Sequence, residues 1–212
     1  TRYIGDWSSD VCSSDLTSDP TADGSDQTKA LRLRSVRGLW DPTYTDESPI
    51  ATSTYPQPQL IRRMRQWVDA EYPSGSPKPK LGISEYAFGA IDTMNGALAQ
   101  ADALGVLGRE GVSYAALWGA PTSATSPGTF AFRMFRNLDG SGRTFGDQSV
   151  QATSEDQGKV SAYAANRSSD GALTIVLINK TASDVTSPLT IQGDGFAATG
   201  SRHVYEIGRA HV

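Results

Sequence analysis

The sequence predicts an α/β fold for the larger part of the chain, followed by a smaller region built only of strands. Helical and strand-like patterns alternate between residues 60 and 118 with short connections, which is typical of a parallel α/β sheet or barrel. From about residue 150, strand-like runs follow one another with no helix between them. We therefore expect an α/β unit over residues 17–150 and an antiparallel β unit over residues 151–205.

The first expected elements are a loop, a helix and a strand. Residues 17–28 are polar and predict a loop. Apolar residues at helical spacing predict a helix that begins after Pro58 and ends at Pro73. A short, mostly apolar run over residues 80–84 predicts a strand that leads directly into Glu85.

A second helix and strand follow. Asp92 is the expected N-cap of this helix, and Gly111 lies just past its expected end. Its apolar side consists mainly of Ala and Gly, which favours close packing against a sheet. The mostly apolar residues 112–118 predict the next strand, which ends at Trp118.

The C-terminal region has the pattern of an antiparallel sheet. Residues 159–165 and 172–179 predict two strands joined by a turn over residues 168–171. Residues 188–192 and 202–205 predict two more strands.

Both ends of the chain have the character of translated sequencing adapter. Residues 10–16 can be encoded by DNA whose reverse complement translates as residues 206–212. Unrelated protein ends have no reason to match in this way. We therefore assign residues 1–16 and 206–212 to tails that are not natural protein, and we expect residues 17–205 to be a piece of a longer protein.

Composition excludes several classes of chemistry. The only cysteine, Cys12, lies in the first tail, and His203 is the only histidine outside the tails. This excludes disulfides, cysteine nucleophiles and cysteine zinc sites. It also excludes a Ser-His-Asp triad that has a choice of histidines, because only one is present. The net charge of −4 gives no nucleic-acid footprint, and no apolar run approaches the ~20 residues of a membrane span. We expect neither a metal nor an organic cofactor in the chemistry.

Glu85 is the strongest candidate for a catalytic residue. It ends a short strand, and the C-terminal strand ends of a barrel form its active-site face. A carboxylate there can attack an anomeric carbon or transfer protons; the alternative is an ordinary surface Glu at the start of a loop. Trp118 ends the next strand and is expected beside Glu85, where its ring can stack on a sugar or belong to the core.

Further aromatic residues are candidates for substrate binding. Tyr86 directly follows Glu85, and Trp40 and Tyr44 lie with acidic residues in the segment before the helix at 59–72. Aromatic and acidic side chains together suit a sugar subsite, but they also suit a packed loop. Trp67 belongs to a helical stripe and is expected in the core.

Two segments carry a specific resemblance. Residues 37–48 read R-G-L-W-D-P-T-Y-T-D-E-S, which is similar to the glycoside hydrolase family 44 motif R-S-L-W-D-P-T-Y-x-D-E-S. Residues 83–89 resemble its I-T-E-Y-x-x-G, with Ser84 in place of the usual Thr. Pro49 stands where Trp is common, which puts one aromatic contact of the cleft in doubt. The resemblance extends in order over nearly all of residues 30–180.

The resemblance implies a fold and an activity. Family members are secreted, retaining endo-β-1,4-glucanases with a TIM-like (β/α)8 barrel and a small β-sandwich. Glu85 matches their nucleophile at the end of the seventh strand, so Trp118 would end the eighth. The implied partner is a β-1,4-glucan polysaccharide, cellulose-type or xyloglucan, and the acid/base Glu lies upstream of this chain. The competing hypothesis is a non-catalytic carbohydrate-binding or structural module.

Overall fold

A computed structural model describes residues 22–47, 56–193 and 204. The two tails assigned above lie outside these residues. The described helices are α1 (Asp26–Ser35), a 3-10 helix (Val36–Leu39), α2 (Leu60–Glu71), α3 (Met94–Arg109) and α4 (Pro127–Arg136). The described strands are β1 (Gly82–Tyr86), β2 (Tyr114–Leu117), β3 (Gln148–Val150), β4 (Val160–Arg167) and β5 (Ala172–Asn179).

The α/β unit contains a parallel strand pair joined through a helix. β1 and β2 are hydrogen-bonded neighbours and run parallel, and α3 connects them. The strand pair opens where the Ser113 amide donates to the Leu81 carbonyl oxygen (2.9 Å) and closes where the Trp118 amide donates to the Tyr86 carbonyl oxygen (2.8 Å). This confirms the predicted α/β class and the order of helix, strand, helix and strand. The expectation that Trp67 of α2 belongs to the core is wrong, because its side chain is 47% exposed.

The N-terminal end of α3 differs from the prediction by one residue. Thr93 is the N-cap, and its hydroxyl accepts a hydrogen bond from the Gly96 amide. Asp92, the predicted N-cap, instead accepts from the backbone amide of Thr122 (3.0 Å). Gly96 is required here, because a Cβ atom would lie 1.9 Å from the carbonyl oxygen of Ala90.

Two of the described α-helices, α1 and α4, and the 3-10 helix that follows α1 were not predicted from the sequence. The loop expected over residues 17–28 is wrong from Asp26 onwards, where α1 begins after its N-cap Ser25, whose side chain accepts from the Thr28 amide; residues 17–21 lie outside the described residues. α4 begins with Pro127 directly after the cap Ser126, a combination that favours a helix start. α1 packs on α3 through a fully buried arginine, Arg32.

The C-terminal region forms an antiparallel sheet in the order β3-β4-β5. The predicted β4–β5 hairpin is observed, and its turn ends at Gly171 with φ +70°. β3 pairs with β4, although it precedes the expected boundary at residue 151. The strand predicted over residues 188–192 is wrong, because these residues form no regular structure. Of the strand predicted over residues 202–205, only Val204 is described.

One apolar core joins the two units. α3 lies at its centre, with the side chains of Ala99, Ala103 and Val106 completely buried. β4 and β5 contact α3, and Tyr86 at the end of β1 is hydrogen-bonded to Gln100 of α3. Because Tyr163 of β4 and Val176 of β5 share the core cluster with residues of the α/β unit, the antiparallel sheet is packed directly onto α3.

Candidate active site

Glu85 lies in an irregularity of β1 at the C-terminal end of the strand pair. Ile83 pairs with Ala115 and Tyr86 pairs with Leu117, so β1 has one residue more than β2 over this stretch. Ile83 and Tyr86 both pack against the core. The two residues between them are exposed Ser84 and half-buried Glu85. They are therefore displaced towards the face of the strand pair that points away from the core, called the open face below. Bulges of this kind re-aim side chains next to active sites.

Trp118 lies beside the strand end that carries Glu85. Its amide bonds to the carbonyl of Tyr86, and its side chain is 67% exposed. Ala115 and Leu117 pack against the core, so alternation along β2 places Trp118 on the opposite, open face. The structure thus brings Glu85 and Trp118 to one end of the parallel pair.

Tyr86 faces the other way and is part of the core. Its side chain is 5% exposed, and its hydroxyl accepts a hydrogen bond from the Gln100 side-chain amide (2.7 Å) on α3. Burial raises the pKa of the Tyr86 phenol above its ordinary value. The Tyr86 ring therefore offers no surface to a sugar, and the substrate-binding role expected for it has no support in this placement.

Trp40 lies at the opposite end of the strand pair from Glu85. Its ring is half-buried between two guanidinium groups, with Arg109 4.2 Å and Arg62 5.4 Å from the ring centroid. Arg109 is the last residue of α3, the end that leads into the start of β2. The structure does not bring Trp40 to Glu85, so Trp40 forms no sugar subsite beside Glu85.

Tyr44 is buried as well, with its ring 5.4 Å from the guanidinium carbon of Arg37. Its hydroxyl donates to Glu47 at 3.5 Å. Burial and the nearby charges of Asp46 and Glu47 raise the pKa of Tyr44 far above its ordinary value. This phenol stays neutral, and its place in the packed loop does not present it to a substrate.

The carboxylates near Tyr44 are held by basic groups. Asp41 accepts from Arg37 (2.8 Å) and from the amide and hydroxyl of Thr43 (2.8 and 2.7 Å). Burial opposes ionisation, but these hydrogen bonds outweigh it and hold the pKa of Asp41 below its ordinary value. Two hydrogen bonds from Arg34 (2.6 and 2.8 Å) likewise lower the pKa of Glu47. Neither group is suited to donate a proton near neutral pH.

The Glu85 carboxylate has no hydrogen bond or ion pair within residues 22–47 and 56–193. In the same part of the chain, no group of three or more His, Cys, Asp or Glu could hold a metal ion, and no helix is long and apolar enough to cross a membrane.

Two buried residues near the site were not found by sequence reasoning. Gln100 is 1% exposed on α3. Arg32 donates from Nε to the carbonyl of Phe88 (2.9 Å) and from Nη1 to the Asn95 side chain (2.5 Å). This fastens the loop after β1 to α1 and to the start of α3. A polar residue within a helical stretch gives no sequence signal that it will be buried, so neither contact could be predicted.

A cleft of about 450 Å³ lies away from Glu85, between the C-terminal half of α3 and the antiparallel sheet. Leu104 and Arg109 line it from α3, and Phe135, Val150 and Tyr163 line it from the elements that follow. It lies where the two units meet and does not adjoin the strand ends that carry Glu85 and Trp118.

No family model matches the chain. Several solved structures and curated proteins are similar to the chain. CelM2, a bifunctional glucanase-xylanase from a metagenome library, is 46% identical with a TM-score of 0.68, over 76% of this chain and 30% of that one. A Paenibacillus polymyxa xyloglucanase from glycoside hydrolase family 44 is 33% identical with a TM-score of 0.66, over 77% of this chain and 30% of that one. Endoglucanase A of Paenibacillus lautus is 31% identical over 189 residues, which are 84% of this chain and 26% of that protein.

These matches agree in kind. About three quarters of the chain corresponds to glycoside hydrolase family 44 enzymes, and the curated relatives are endoglucanases. The chain spans 26–30% of the length of these three proteins.

Proposed function

From this relationship to glycoside hydrolase family 44, we propose that the chain is the nucleophile-bearing part of a retaining endo-β-1,4-glucanase. The observation that carries the proposal is the position of Glu85, in a bulge at the C-terminal end of a parallel strand with exposed Trp118 beside it. The substrate class is a cell-wall β-1,4-glucan, cellulose-type or xyloglucan, and the enzyme acts outside the cell.

The proposal includes the architecture of the whole enzyme. The β1-α3-β2 unit belongs to the C-terminal part of a TIM-like (β/α)8 barrel, and β3–β5 belong to a small β-sandwich. The open face of the strand pair, on which Tyr114 and Trp118 are exposed, is then the inner face of the barrel. Barrel enzymes carry their catalytic groups at the C-terminal strand ends, where Glu85 and Trp118 lie.

Glu85 acts as the nucleophile in a two-step displacement. Its carboxylate attacks the anomeric carbon and forms a glycosyl ester, while a second carboxyl group protonates the departing glycosidic oxygen. That second group then takes a proton from water, which releases the sugar with its configuration retained. Retaining enzymes hold the two carboxyls about 5–5.5 Å apart. The family resemblance implies that the acid/base comes from a part of the enzyme upstream of this chain. Asp41 and Glu47 are engaged by Arg37 and Arg34.

Trp118 supplies the contact with the sugar. An exposed indole beside the nucleophile can stack on a pyranose ring and fix it over the carboxylate. Binding of this kind does not depend on one hydroxyl pattern, which fits an enzyme that takes several β-1,4-linked polymers.

The nucleophile is tested by chemical rescue in the full-length enzyme that carries this chain. Glu85→Ala is expected to lose turnover of an aryl β-cellobioside. Azide is expected to restore it, because azide attacks the face that Glu85 vacates as the aryloxide leaves. The product is then the α-glycosyl azide. A β-glycosyl azide would make Glu85 the acid/base, and full activity of the variant would remove it from the chemistry.

A matched control removes a carboxylate that the proposal does not use. Glu155 is exposed in the segment between β3 and β4, and Glu155→Ala is expected to keep the wild-type rate and to show no response to azide. Loss of activity in this variant would show that the assay responds to general damage.

A non-catalytic carbohydrate-binding role is the second candidate, for the chain on its own. The exposed ring of Trp118, which can stack on a sugar without any catalytic step, favours it. Affinity electrophoresis in xyloglucan tests it, with Trp118→Ala as the variant. Retardation that disappears in Trp118→Ala, without turnover, would support a binding role.

A further inference from the structure

We infer that Gln100 is a positioning residue for the Glu85 carboxylate, and that it acts through Tyr86. The inference rests on the proposed function of Glu85. Gln100 touches neither the carboxylate nor the open face of the sheet, and its effect passes through one buried hydrogen bond and one peptide unit.

The hydrogen bond between Gln100 and Tyr86 lies in the core. The Gln100 side-chain amide donates to the Tyr86 hydroxyl at 2.7 Å, and both side chains are buried. A buried polar pair of this kind is costly to break, because each partner left alone loses its water without compensation. The Tyr86 ring is therefore held against the middle of α3.

Tyr86 is also held by its backbone at the end of β1. Tyr86 is the last residue of β1, and its carbonyl oxygen accepts the Trp118 amide at 2.8 Å. The residue is thus held by its side chain to α3 and by its backbone to the end of β2. Glu85 is joined to Tyr86 by a peptide bond, and Trp118 is joined to it by the backbone hydrogen bond.

Glu85 itself lies in the bulge of β1. The extra residue of β1 falls between Ile83 and Tyr86, where the regular ladder does not hold Glu85. A side chain in such a place depends on its neighbours for orientation. Because nothing in the described residues bonds to the Glu85 carboxylate, the anchor at Tyr86 is the contact nearest to it along the chain.

α3 offers a matched control two residues away. Asp102 accepts a hydrogen bond from the Tyr163 hydroxyl at 2.6 Å, again between buried side chains. Tyr86→Phe and Tyr163→Phe therefore each remove one hydroxyl that bonds to α3. Only the first breaks a link to the strand that carries Glu85, since Tyr163 belongs to β4.

The experiment compares these variants in the full-length enzyme. Tyr86→Phe and Gln100→Leu are expected to lower kcat by about 10- to 100-fold, since displacement of a reacting group by about 1 Å can cost 100-fold. KM is expected to stay within about twofold. Tyr163→Phe is expected to lower the melting temperature and leave kcat unchanged.

A second measurement reads the attack of Glu85 directly. A 2-deoxy-2-fluoro-cellobiosyl fluoride forms a slow covalent ester with the nucleophile as fluoride leaves, and mass spectrometry follows the labelled peptide. The labelling rate is expected to fall with kcat in Tyr86→Phe and Gln100→Leu. The double variant Tyr86→Phe/Gln100→Leu leaves no buried group unpaired, so it carries the test if a single variant folds poorly; its loss is expected to match that of one single variant.

The outcomes separate the two proposals. If Tyr86→Phe, Gln100→Leu and their double variant keep wild-type kcat and labelling rate while Glu85→Ala is inactive, the inference fails and the function stands. If Tyr163→Phe loses as much kcat as Tyr86→Phe, the effect is general loosening of α3, and the inference also fails. If Glu85 is never labelled in the wild-type enzyme, the proposed function itself fails.

Discussion

Removing the charge of Lys180 is expected to destabilise the protein more than any surface change. Lys180 Nζ lies 3.0 Å from Asp102 Oδ2, and the side chains are only 2% and 4% exposed. Breaking a buried pair by removal of one partner typically costs about 3–5 kcal/mol, because the remaining charge is left uncompensated. The Tyr163 hydroxyl still donates to Asp102, so we expect Lys180→Met to cost about 3 kcal/mol, at the lower end of this range.

Urea denaturation of the chain measures this loss, with two controls. The double variant Asp102→Leu/Lys180→Met removes both charges and is expected to be more stable than Lys180→Met, although it leaves the Tyr163 hydroxyl without its Asp102 acceptor. Lys159→Met breaks an exposed pair with Asp156 (3.3 Å; side chains 72% and 50% exposed) and is expected to cost about 0–1 kcal/mol. The reasoning is refuted if Lys180→Met costs no more than Lys159→Met, or if the double variant is the least stable of the three.

Three other changes have defined outcomes. Gly105→Ala places a Cβ 2.3 Å from the Tyr163 ring and is expected to cost about 1–3 kcal/mol of unfolding free energy in urea; a neutral result would show that the ring can move. Asp41→Asn is expected to cost about 1.5–3 kcal/mol at pH 7. Because the folded pKa of Asp41 is depressed, this difference should shrink as the pH falls below 3.8 and through the folded pKa, and an acid-independent loss in pH-dependent melting would contradict it. The chain expressed alone is expected to show no useful turnover of xyloglucan or carboxymethylcellulose in a reducing-sugar assay, since acid–base assistance is worth about 10²–10⁴-fold; turnover that Glu85→Gln abolishes would mean that a second carboxyl within the chain serves as the acid.

Local patterns were sufficient for the elements whose burial is periodic. The stripe from Leu60 predicted α2 within a residue at each end, and the turn before Gly171 predicted the β4–β5 hairpin. The N-cap of α3 could not be chosen from the sequence, because both Asp92 and Thr93 are good caps. A contact with Thr122, 30 residues away, occupies the Asp92 carboxylate and leaves the cap to Thr93.

The site shows the same division. Glu85 and Trp118 could be predicted to share one end of the sheet, because each follows a short apolar strand and parallel strands end together. The aromatic residues divide differently, because their burial depends on partners that are distant in sequence. Tyr86 turns inward to Gln100, and Trp40 is enclosed by Arg109, and residue type alone reveals neither partner.

α3 carries two separate buried polar contacts, one with the strand of the proposed nucleophile and one with the antiparallel sheet. Gln100 donates a hydrogen bond to Tyr86 at the end of β1. Asp102 accepts hydrogen bonds from Tyr163 of β4 and from Lys180, which directly follows β5. The two buried polar contacts are two residues apart on a helix that is fully enclosed at Ala99 and Ala103. Loss of a contact at Asp102 leaves the hydrogen bond between Gln100 and Tyr86 in place. We therefore expect changes at Tyr163 or Lys180 to lower the stability of the protein without displacing Glu85.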